Sequence, residues 1–287
     1  MTGYSGYSVL IPLGHQEPPQ YVRECLGSVL NQTTLPQEVV FVCDHKTPQP
    51  LLDVIGQSFS GSHISVRFVD CTDIQKRGGR LGAILARGVK NCSCELIARM
   101  DADDVAPLNR CQMQLAAFEE DPELAVVGGI AAEFTDRPEH IAAYRHPPED
   151  HKDIITFAKY RNPFNHSSVM FRKSAVLAVG NYSSALVGCE DYDLWYRIIA
   201  SGRKVANLSE VLLYSRTGTD LVQRRQNPQN TASYFKVKKR MLKDGFITYL
   251  QYAVSSVGIL FLRYAPRQLV MLLYAKVLRQ KSGGSKK

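Results

Sequence analysis

The sequence predicts an α/β fold, with a mostly parallel, doubly wound sheet followed by a helical tail. In the first half, apolar runs of strand length alternate with stretches of helical periodicity. Basic residues concentrate towards the C-terminus, where two apolar stretches also occur. With 45% hydrophobic and 22% charged residues among 287, the composition is that of an ordinary globular protein.

The first half predicts alternating strands and helices. These are a strand at Tyr7–Pro12, a helix at Pro19–Asn31, a strand at Glu38–Cys43, a helix at Leu51–Phe59, a strand at Val66–Val69, a helix at Leu81–Val89 and a strand at Leu96–Met100. Such an order predicts parallel strands whose carboxyl ends share one ligand-binding edge.

The second half is more mixed. It predicts helices at Gln112–Glu120, Tyr192–Ser201 and Tyr234–Lys243, strands at Ala125–Ile130 and Ser168–Phe171, and two apolar tail stretches at Phe246–Leu262 and Leu269–Leu278. The stretch Phe246–Leu262 has 17 residues without a charge, slightly short of the roughly 20 that a membrane-crossing helix needs.

Charge divides the chain into two predicted domains, an acidic α/β domain of residues 1–222 and a basic amphipathic tail of residues 223–287. From Gln223 onward there are 14 Lys and Arg residues and one acid, so the tail carries +13 and the preceding part −5. This pattern favours helices lying in the interface of an anionic membrane, with a helical pair packed on the α/β domain as the alternative. No recognisable nucleic-acid motif accompanies the charge, so we expect no nucleic acid partner.

The seven cysteines indicate a reducing compartment. They are scattered and odd in number, and no CxxC pair occurs among them. The residues before Pro12 contain no basic segment ahead of the apolar run, which argues against a secretory signal. We therefore expect a cytoplasmic protein without a structural zinc site.

An acidic cluster, Asp101-Ala102-Asp103-Asp104, follows the fourth predicted strand. Alternate residues of an extended segment point the same way, so Asp101 and Asp103 can face one site and bind a hard divalent cation together with diphosphate oxygens. The simpler interpretation is a solvated turn, with Asp104 capping the helix that Pro107 helps to begin.

A second acidic group opens the helix after Gly188. Glu190 and Asp191 can serve simply as favourable charges at a helix N-terminus. Alternatively, one of the two carboxylates is a general base that deprotonates an acceptor hydroxyl, as direct displacement at an anomeric carbon requires.

Five segments together carry a family resemblance: YSVLIPLG, EVVFVCD, LIARMDADD, NPFNHSSVMF and EDYDLWYRI. In this order they resemble family 2 glycosyltransferases of the GT-A fold, in particular bacterial enzymes of exopolysaccharide, capsule and O-antigen synthesis, the amylovoran-type enzymes among them. The resemblance spans roughly Tyr7 to Arg225.

The resemblance implies an inverting, metal-dependent enzyme that uses Mn²⁺ or Mg²⁺. Its donor would be a nucleotide diphosphate-sugar, typically a UDP-sugar, and its acceptor a glycan or lipid-linked oligosaccharide at the inner face of the cytoplasmic membrane. The implied roles are nucleotide-sugar binding for Pro12, Glu17, Asp44, Arg80 and Asp101; metal binding for Asp103 with Asp101; base catalysis for Asp191 assisted by Glu190; and acceptor contacts for Asn165 and His166.

The sequence also departs from the family pattern. The loop Gly14–Glu17 stands where a Tyr-Asn pair is common, and no His occurs near Arg216, where many relatives use one to hold the metal or diphosphate. Arg216, Arg224 or Arg225 could supply that positive charge. No Gln-x-x-Arg-Trp occurs, which argues against a processive synthase.

Two other functions compete with this interpretation. A sugar-phosphate nucleotidyltransferase would carry a Gly-rich basic loop directly after the first strand, where this chain has Leu13–Pro18. A non-catalytic sugar- or lipid-binding module would not need Asp101, Asp103 and Asp191 together.

Overall fold

The computed structural model describes residues 6–74, 79–217, 227–266, 268–269 and 280–281. Its strands are β1 (Tyr7–Leu13), β2 (Glu38–Cys43), β3 (Ser65–Asp70), β4 (Leu96–Arg99), β5 (Leu124–Phe134), β6 (Ile141–Arg145), β7 (Met170–Arg172), β8 (Lys204–Arg216) and β9 (Gln280–Lys281). Its helices are α1 (Pro19–Leu30), α2 (Gln49–Ser58), α3 (Arg80–Asn91), α4 (Arg110–Glu120), α5 (His151–Ala158), α6 (Lys173–Ala178), α7 (Glu190–Ala200), α8 (Pro228–Lys243) and α9 (Tyr249–Tyr264), with a 3-10 turn at His166–Ser168.

The first four strands form the parallel half of one sheet. β1 pairs in parallel with β2 and β4, and β2 pairs in parallel with β3. All six residues of β2 are buried, as expected for a strand covered by helices on both faces. The elements predicted for the first half of the chain are therefore confirmed, with ends that differ by one or two residues.

The second half extends the sheet through the long strand β5. The sheet order is β3-β2-β1-β4-β7-β5-β6-β9, and β8 pairs in parallel with β5. The sequence prediction omitted β6, β8, β9, α5 and α6; β8 is hard to recognise because exposed and buried residues are mixed along it. The predicted strand Ser168–Phe171 was partly wrong, since Ser168 belongs to the 3-10 turn and β7 begins at Met170.

The direction of the strands gathers their carboxyl ends at one edge. β7 runs antiparallel to both β4 and β5, so β5 and its parallel partner β8 run in the same direction as β1, β2 and β4. The segments after these strands therefore open on the same side of the molecule, where ligands of doubly wound sheets bind.

Helices cover the two faces of the sheet with separate apolar clusters. One face packs against α1, α2 and α4, and the other against α3, α5 and α7. A third cluster joins α7 to the tail: Tyr192 and Tyr196 of α7 pack with Val237 and Met241 of α8 and with Ile247. Helix α8 thus shares an apolar core with α7.

The last long helix, α9, exposes its apolar side. Most of its large side chains are exposed, while Ser255 is its buried residue. Within the described part of the chain, no helix combines the length and hydropathy of a membrane span. Most of the predicted stretch Leu269–Leu278 lies outside the described residues.

Candidate active site

Segments at the carboxyl edge of the sheet carry the predicted donor-binding residues. Pro12 lies in β1 opposite Val42 of β2 and is partly exposed. Glu17 lies in the loop between β1 and α1, Asp44 directly follows β2, and residues 101–104 follow β4. The parallel pairing of β1, β2 and β4 brings these segments side by side.

Asp101, Asp103 and Asp104 form one compact acidic cluster. One carboxylate oxygen from each lies within 4.8 Å of the others. Burial, followed by the charge of Asp101, raises the pKa of the Asp103 carboxyl. Converging carboxylate oxygens suit a hard divalent cation, so these residues fit the predicted Mn²⁺ or Mg²⁺.

The buried side chain of Arg99 forms an ion pair with Asp101. Its two terminal nitrogens lie 2.6 and 2.9 Å from the two carboxylate oxygens of Asp101, a bidentate ion pair. The Ser167 hydroxyl also donates to Asp101, at 2.7 Å. Both oxygens of Asp101 are therefore fixed in direction.

Asp104 does not cap a helix, and that interpretation was wrong. Helix α4 begins at Arg110 and its N-cap position is Asn109, five residues after Asp104. Instead, the buried Asp104 carboxylate accepts the backbone N–H of Arg216, at 2.9 Å. It joins the end of β8 to the acidic segment, alongside the backbone pairing of Val105 with Tyr214.

Glu17 lies close enough to the acidic cluster to share its electrostatics. Burial, followed by the charges of Asp103 and Asp101, raises the pKa of Glu17 to about 7. Its position in the first loop borders the predicted nucleotide site. It also adds a fourth carboxyl to the surroundings of the acidic cluster.

Asp44 and Arg80, both predicted to contact the nucleotide, contact each other. Arg80 Nε lies 3.1 Å from Asp44 Oδ2, and the Arg80 guanidinium also donates to the Asp44 backbone carbonyl. His45 Nδ1 lies 2.6 Å from the other Asp44 oxygen. Arg80 is the first residue of α3 and follows Gly79, whose φ of +89° favours glycine. The turn at Gly79 places the Arg80 guanidinium beside Asp44, directly after β2.

Glu190 and Asp191 open α7, as predicted. Glu190 is buried, and burial followed by the charge of Asp191 raises its pKa. Asp191 is partly exposed, and its Oδ2 accepts a hydrogen bond from Asn162 Nδ2 at 2.5 Å. The pair thus combines a buried, readily protonated carboxyl with a more exposed one.

The two predicted acceptor residues have different surroundings. Asn165 is buried, and its side-chain amide donates to the carbonyls of Gly129 and Arg145, which ties the 3-10 turn to β5 and β6. The His166 ring lies nearer the acids: Nδ1 is 4.0 Å from Asp191 Oδ2, and Nε2 is 3.0 Å from the Tyr182 hydroxyl. Burial lowers the pKa of His166 well below its usual value, so this ring is neutral at pH 7.

The 3-10 turn joins the two acidic groups. Ser167 contacts Asp101 of the first group, and its neighbour His166 approaches Asp191 of the second. Arg99 reinforces this connection, because its guanidinium also contacts the Ser167 hydroxyl at 2.6 Å. Two motifs far apart in sequence therefore belong to one site.

Arg216 borders the acidic cluster but is largely used by other contacts. Its guanidinium stacks on Tyr21 at 3.8 Å and Phe134 at 4.6 Å, and lies 2.5 Å from Glu24 Oε2. Its Nε donates to the backbone carbonyl of Asp103 at 3.1 Å. The other predicted cations, Arg224 and Arg225, lie outside the described residues.

Three contributors to the site had no role assigned from sequence: Arg99, Asn162 and Ser167. All three lie inside the motifs that carry the family resemblance, LIARMDADD and NPFNHSSVMF. Their position in those motifs was the available signal. Their roles depend on contacts across the sheet, which spacing along the chain does not reveal.

Comparison with known proteins agrees with this geometry. The family model "Glycosyl transferase family 2" matches residues 8–179. The chain is 32% identical to the amylovoran biosynthesis glycosyltransferase AmsE of Erwinia amylovora, over 94% of this chain and 98% of that protein. It is 28% identical to the UDP-Gal:alpha-D-GlcNAc-diphosphoundecaprenol beta-1,3-galactosyltransferase of Escherichia coli, over 96% of this chain and 97% of that protein.

A solved structure shares the fold. The mannosyltransferase PcManGT of Pyrobaculum calidifontis, in complex with GDP-Man and Mn²⁺, superposes with a TM-score of 0.63 at 14% identity, covering 94% of this chain and 73% of that one. Together with the acidic site, these matches favour a glycosyltransferase over a sugar-phosphate nucleotidyltransferase or a non-catalytic binding module. The chain is a glycosyltransferase of the GT-A fold and belongs to glycosyl transferase family 2.

Proposed function

We propose that this glycosyltransferase moves a sugar from a UDP-sugar to a hydroxyl of a lipid-linked glycan, with inversion at the anomeric carbon and a bound divalent metal. This proposal rests mainly on one observation, that the two acidic groups form a single site. Asp101 and Asp191 are linked through the adjacent residues Ser167 and His166. One group suits a charged diphosphate and its metal, and the other suits an acceptor hydroxyl.

The donor is bound along the carboxyl edge of β1, β2 and β4. The Asp44–Arg80 pair, with Pro12 and Glu17, borders the nucleoside. The fixed carboxylate of Asp101 accepts hydrogen bonds from the ribose or the donor sugar, because its ion pair with Arg99 holds both oxygens in place. Arg224 and Arg225 remain proposed diphosphate contacts.

Asp103 is the principal metal ligand, with Asp101 beside it. Arg99 already compensates the charge of Asp101, whereas the pKa of Asp103 is raised by burial and by that neighbouring charge. A bound Mn²⁺ or Mg²⁺ supplies charge neutralisation for the departing nucleoside diphosphate. The known structure of PcManGT with GDP-Man and Mn²⁺ supports such a metal within the same fold.

Asp191 takes the proton from the acceptor hydroxyl as that oxygen attacks the anomeric carbon. It is the more exposed member of the pair at the start of α7, so an acceptor can reach it. Glu190 positions the acceptor through its buried carboxyl, whose raised pKa lets it donate as well as accept a hydrogen bond near neutral pH. Asn165 and His166 form the wall on the acceptor side.

The lipid-linked acceptor is supported by the Escherichia coli relative, whose name specifies a diphosphoundecaprenol substrate. The tail supports the same conclusion. Its charge of +13 suits anionic headgroups, and the outward apolar side of α9 suits the acyl boundary. We therefore propose peripheral binding to the inner face of the cytoplasmic membrane.

The decisive experiment measures donor binding and turnover with UDP-, GDP- and dTDP-sugars in the presence of Mn²⁺ or Mg²⁺. We expect saturable binding of a UDP-sugar, followed by slow release of UDP and faster release once a lipid-linked glycan is added. Proton NMR of the product should then give the opposite anomeric configuration from the donor. Retained configuration would exclude single displacement, and binding of no nucleotide-sugar would overturn the proposal.

A further inference from the structure

The Asp191 carboxylate is held by a side chain from a different element. Asn162 lies in the loop between α5 and the 3-10 turn, and its Nδ2 donates to Asp191 Oδ2 at 2.5 Å. The other oxygen, Oδ1, accepts the backbone N–H of Tyr192 at 2.7 Å. Each carboxylate oxygen therefore has a donor that fixes its direction.

The orientation of the Asn162 amide is itself determined by the loop. Its Oδ1 accepts the backbone N–H of Phe164 at 3.2 Å, so Nδ2 must be the atom that faces Asp191. Because Pro163 follows, residue 162 is restricted to an extended backbone, which limits the directions that its side chain can take.

The loop is anchored to α7, the helix that carries Asp191. Phe164 is buried and meets Trp195 of α7 edge to face, with ring centroids 5.5 Å apart. Asn207 of β8 donates from Nδ2 to the carbonyl of Pro163 at 3.2 Å. The distance between Asn162 and Asp191 is therefore set by packed elements on both sides.

The hydrogen bond from Asn162 adds no formal charge. His166, 4.0 Å from the same oxygen, is neutral at pH 7 because burial lowers its pKa. A neutral donor favours the ionised carboxylate without forming an ion pair that would remove its basicity. The other titratable groups that act on this region are Glu190, Tyr182, Arg99 and Asp101.

We propose that Asn162 is a positioning residue for the base: it orients the Asp191 carboxylate towards the acceptor hydroxyl and keeps it ionised. This inference rests on the proposed function, in which Asp191 accepts the proton. The same geometry implies that Asn162 affects the chemical step and leaves donor binding unaltered.

The test compares Asn162→Ala and Asn162→Asp with Asn207→Ala, which loosens the same loop without touching Asp191. UDP release from a panel of UDP-sugars is measured with Mn²⁺ across pH 5–9. For Asn162→Ala we expect kcat to fall by about 10- to 100-fold, the loss of one hydrogen bond to a charged group, with KM for the donor unchanged. The acidic limb of the pH–rate profile of Asn162→Ala should move to higher pH. The shift should be larger for Asn162→Asp, because a second carboxylate opposes ionisation of Asp191.

Asn207→Ala should lower the melting temperature and leave the acidic limb where it is. An Asn162→Ala enzyme whose kcat and pH profile match those of the wild type would overturn the proposal. So would a loss of rate that Asn207→Ala reproduces together with the same pH shift.

A second measurement does not depend on the reaction. The Asp191 carboxyl is titrated by NMR in protein labelled with ¹³C at aspartate, its signal identified by its absence in Asp191→Asn. We expect Asn162→Ala to raise the pKa of Asp191, and an unchanged pKa would count against the inference. If the wild type turns over no nucleotide-sugar, the proposed function fails, and this titration still decides whether Asn162 controls the Asp191 carboxyl.

Discussion

The carboxylates of the site differ in how far their charge is compensated. Asp101 is paired bidentately with Arg99, whereas Asp103 lies beside that pair with a raised pKa, and Asp104 is buried and bound to the backbone of Arg216. Identical side chains within four residues therefore serve different chemistry. Each substitution should consequently give its own phenotype.

Asp103→Asn tests the proposed role of Asp103 as the main metal ligand. We expect turnover to fall by about 100-fold or more, because charge compensation at the leaving diphosphate is lost, while the melting temperature stays close to the wild-type value. Turnover is measured with and without Mn²⁺. The matched control is Asp53→Asn on the exposed surface of α2, which should keep full activity. Full turnover by Asp103→Asn in excess chelator would show that the reaction needs neither this carboxylate nor a bound metal.

Asp191→Asn should separate binding from chemistry. We expect donor affinity to be retained and kcat to drop by ~100-fold or more, since an amide cannot accept the acceptor's proton. Glu190→Gln should be milder and should act mainly on KM for the acceptor. Steady-state assays of both variants give kcat and KM, and calorimetry gives their affinity for the donor. Wild-type transfer by Asp191→Asn would assign the base to another residue.

Helix α8 is attached to α7 by a buried lysine. Lys238 Nζ donates to the carbonyl of Lys159 and to the Tyr192 hydroxyl, each at 2.6 Å. The side chain is fully buried, and burial lowers its pKa from 10.5 to about 7. Arg240 of the same helix pairs with the buried Asp193 of α7 at 2.9 Å. The tail's first helix is thus held by polar as well as apolar contacts.

Lys238 should make stability depend on pH. Between about pH 7 and 10.5 the unfolded chain binds a proton at this lysine that the folded chain does not, so the free energy of unfolding rises with pH across this window. Relative to Lys238→Met, the wild type should therefore gain stability as pH rises from 7 to 9.5. Thermal unfolding at several pH values measures this difference. Lys243→Met, at an exposed position of α8, should show no such trend, and a constant difference for Lys238→Met would contradict the prediction.

Helix α9 carries its apolar residues on the outside. Leu250, Val254, Val257, Phe261 and Tyr264 are all exposed and recur at helical spacing, forming one stripe. The inward side includes the buried Ser255. This orientation suits contact with an external apolar surface.

The double substitution Val254→Glu and Val257→Glu should abolish binding to anionic vesicles. Two carboxylates on the stripe oppose insertion and are repelled by the headgroups, while the fold keeps its melting temperature because both positions are exposed. Vesicle sedimentation measures binding. Gln229→Glu with Lys243→Gln, at exposed positions of α8, lowers the net charge by the same amount, so it is the control for charge alone and should weaken binding only partly. Unchanged binding by the α9 variant would exclude the stripe as the contact.

At the scale of the whole molecule, residues 1–222 and residues 223–287 carry net charges of opposite sign. Residues 1–222 carry −5 and the remainder +13, so attraction to an anionic surface acts mainly on the tail. The boundary at residue 222 remains a prediction. The contacts of α8 and Ile247 with Tyr196 indicate that a shortened chain should retain both.

Removal of residues 249–287 should release the protein from anionic vesicles and leave it folded. The shortened chain keeps Ile247 and α8, and therefore the cluster around Tyr196. Binding of the intact chain should weaken at high salt, since each exposed base is worth ~1 kcal/mol near such a surface. Flotation assays at several salt concentrations test both statements. If the shortened chain unfolds and the intact chain does not bind vesicles, the tail has a structural role and the membrane proposal is wrong.

The sequence by itself determined the parallel half of the sheet and the location of both acidic groups. A run of apolar residues is a local signal: residues 39–43 are all apolar, as suits a strand that helices cover on both faces, so the strand is evident without its neighbours. The segments after β2 and β4 could likewise be predicted, because parallel strands end at one edge.

Only the tertiary structure decided which side chains meet at that edge. Asp104 resembles a helix cap in sequence. In the structure its carboxylate accepts the backbone N–H of Arg216 at the end of β8, more than a hundred residues away along the chain. Asn162 resembles a turn residue before Pro163, and it becomes a partner of Asp191 because α7 packs against the loop. Such contacts depend on long-range packing, whose geometry is not encoded in the spacing of residues along the chain.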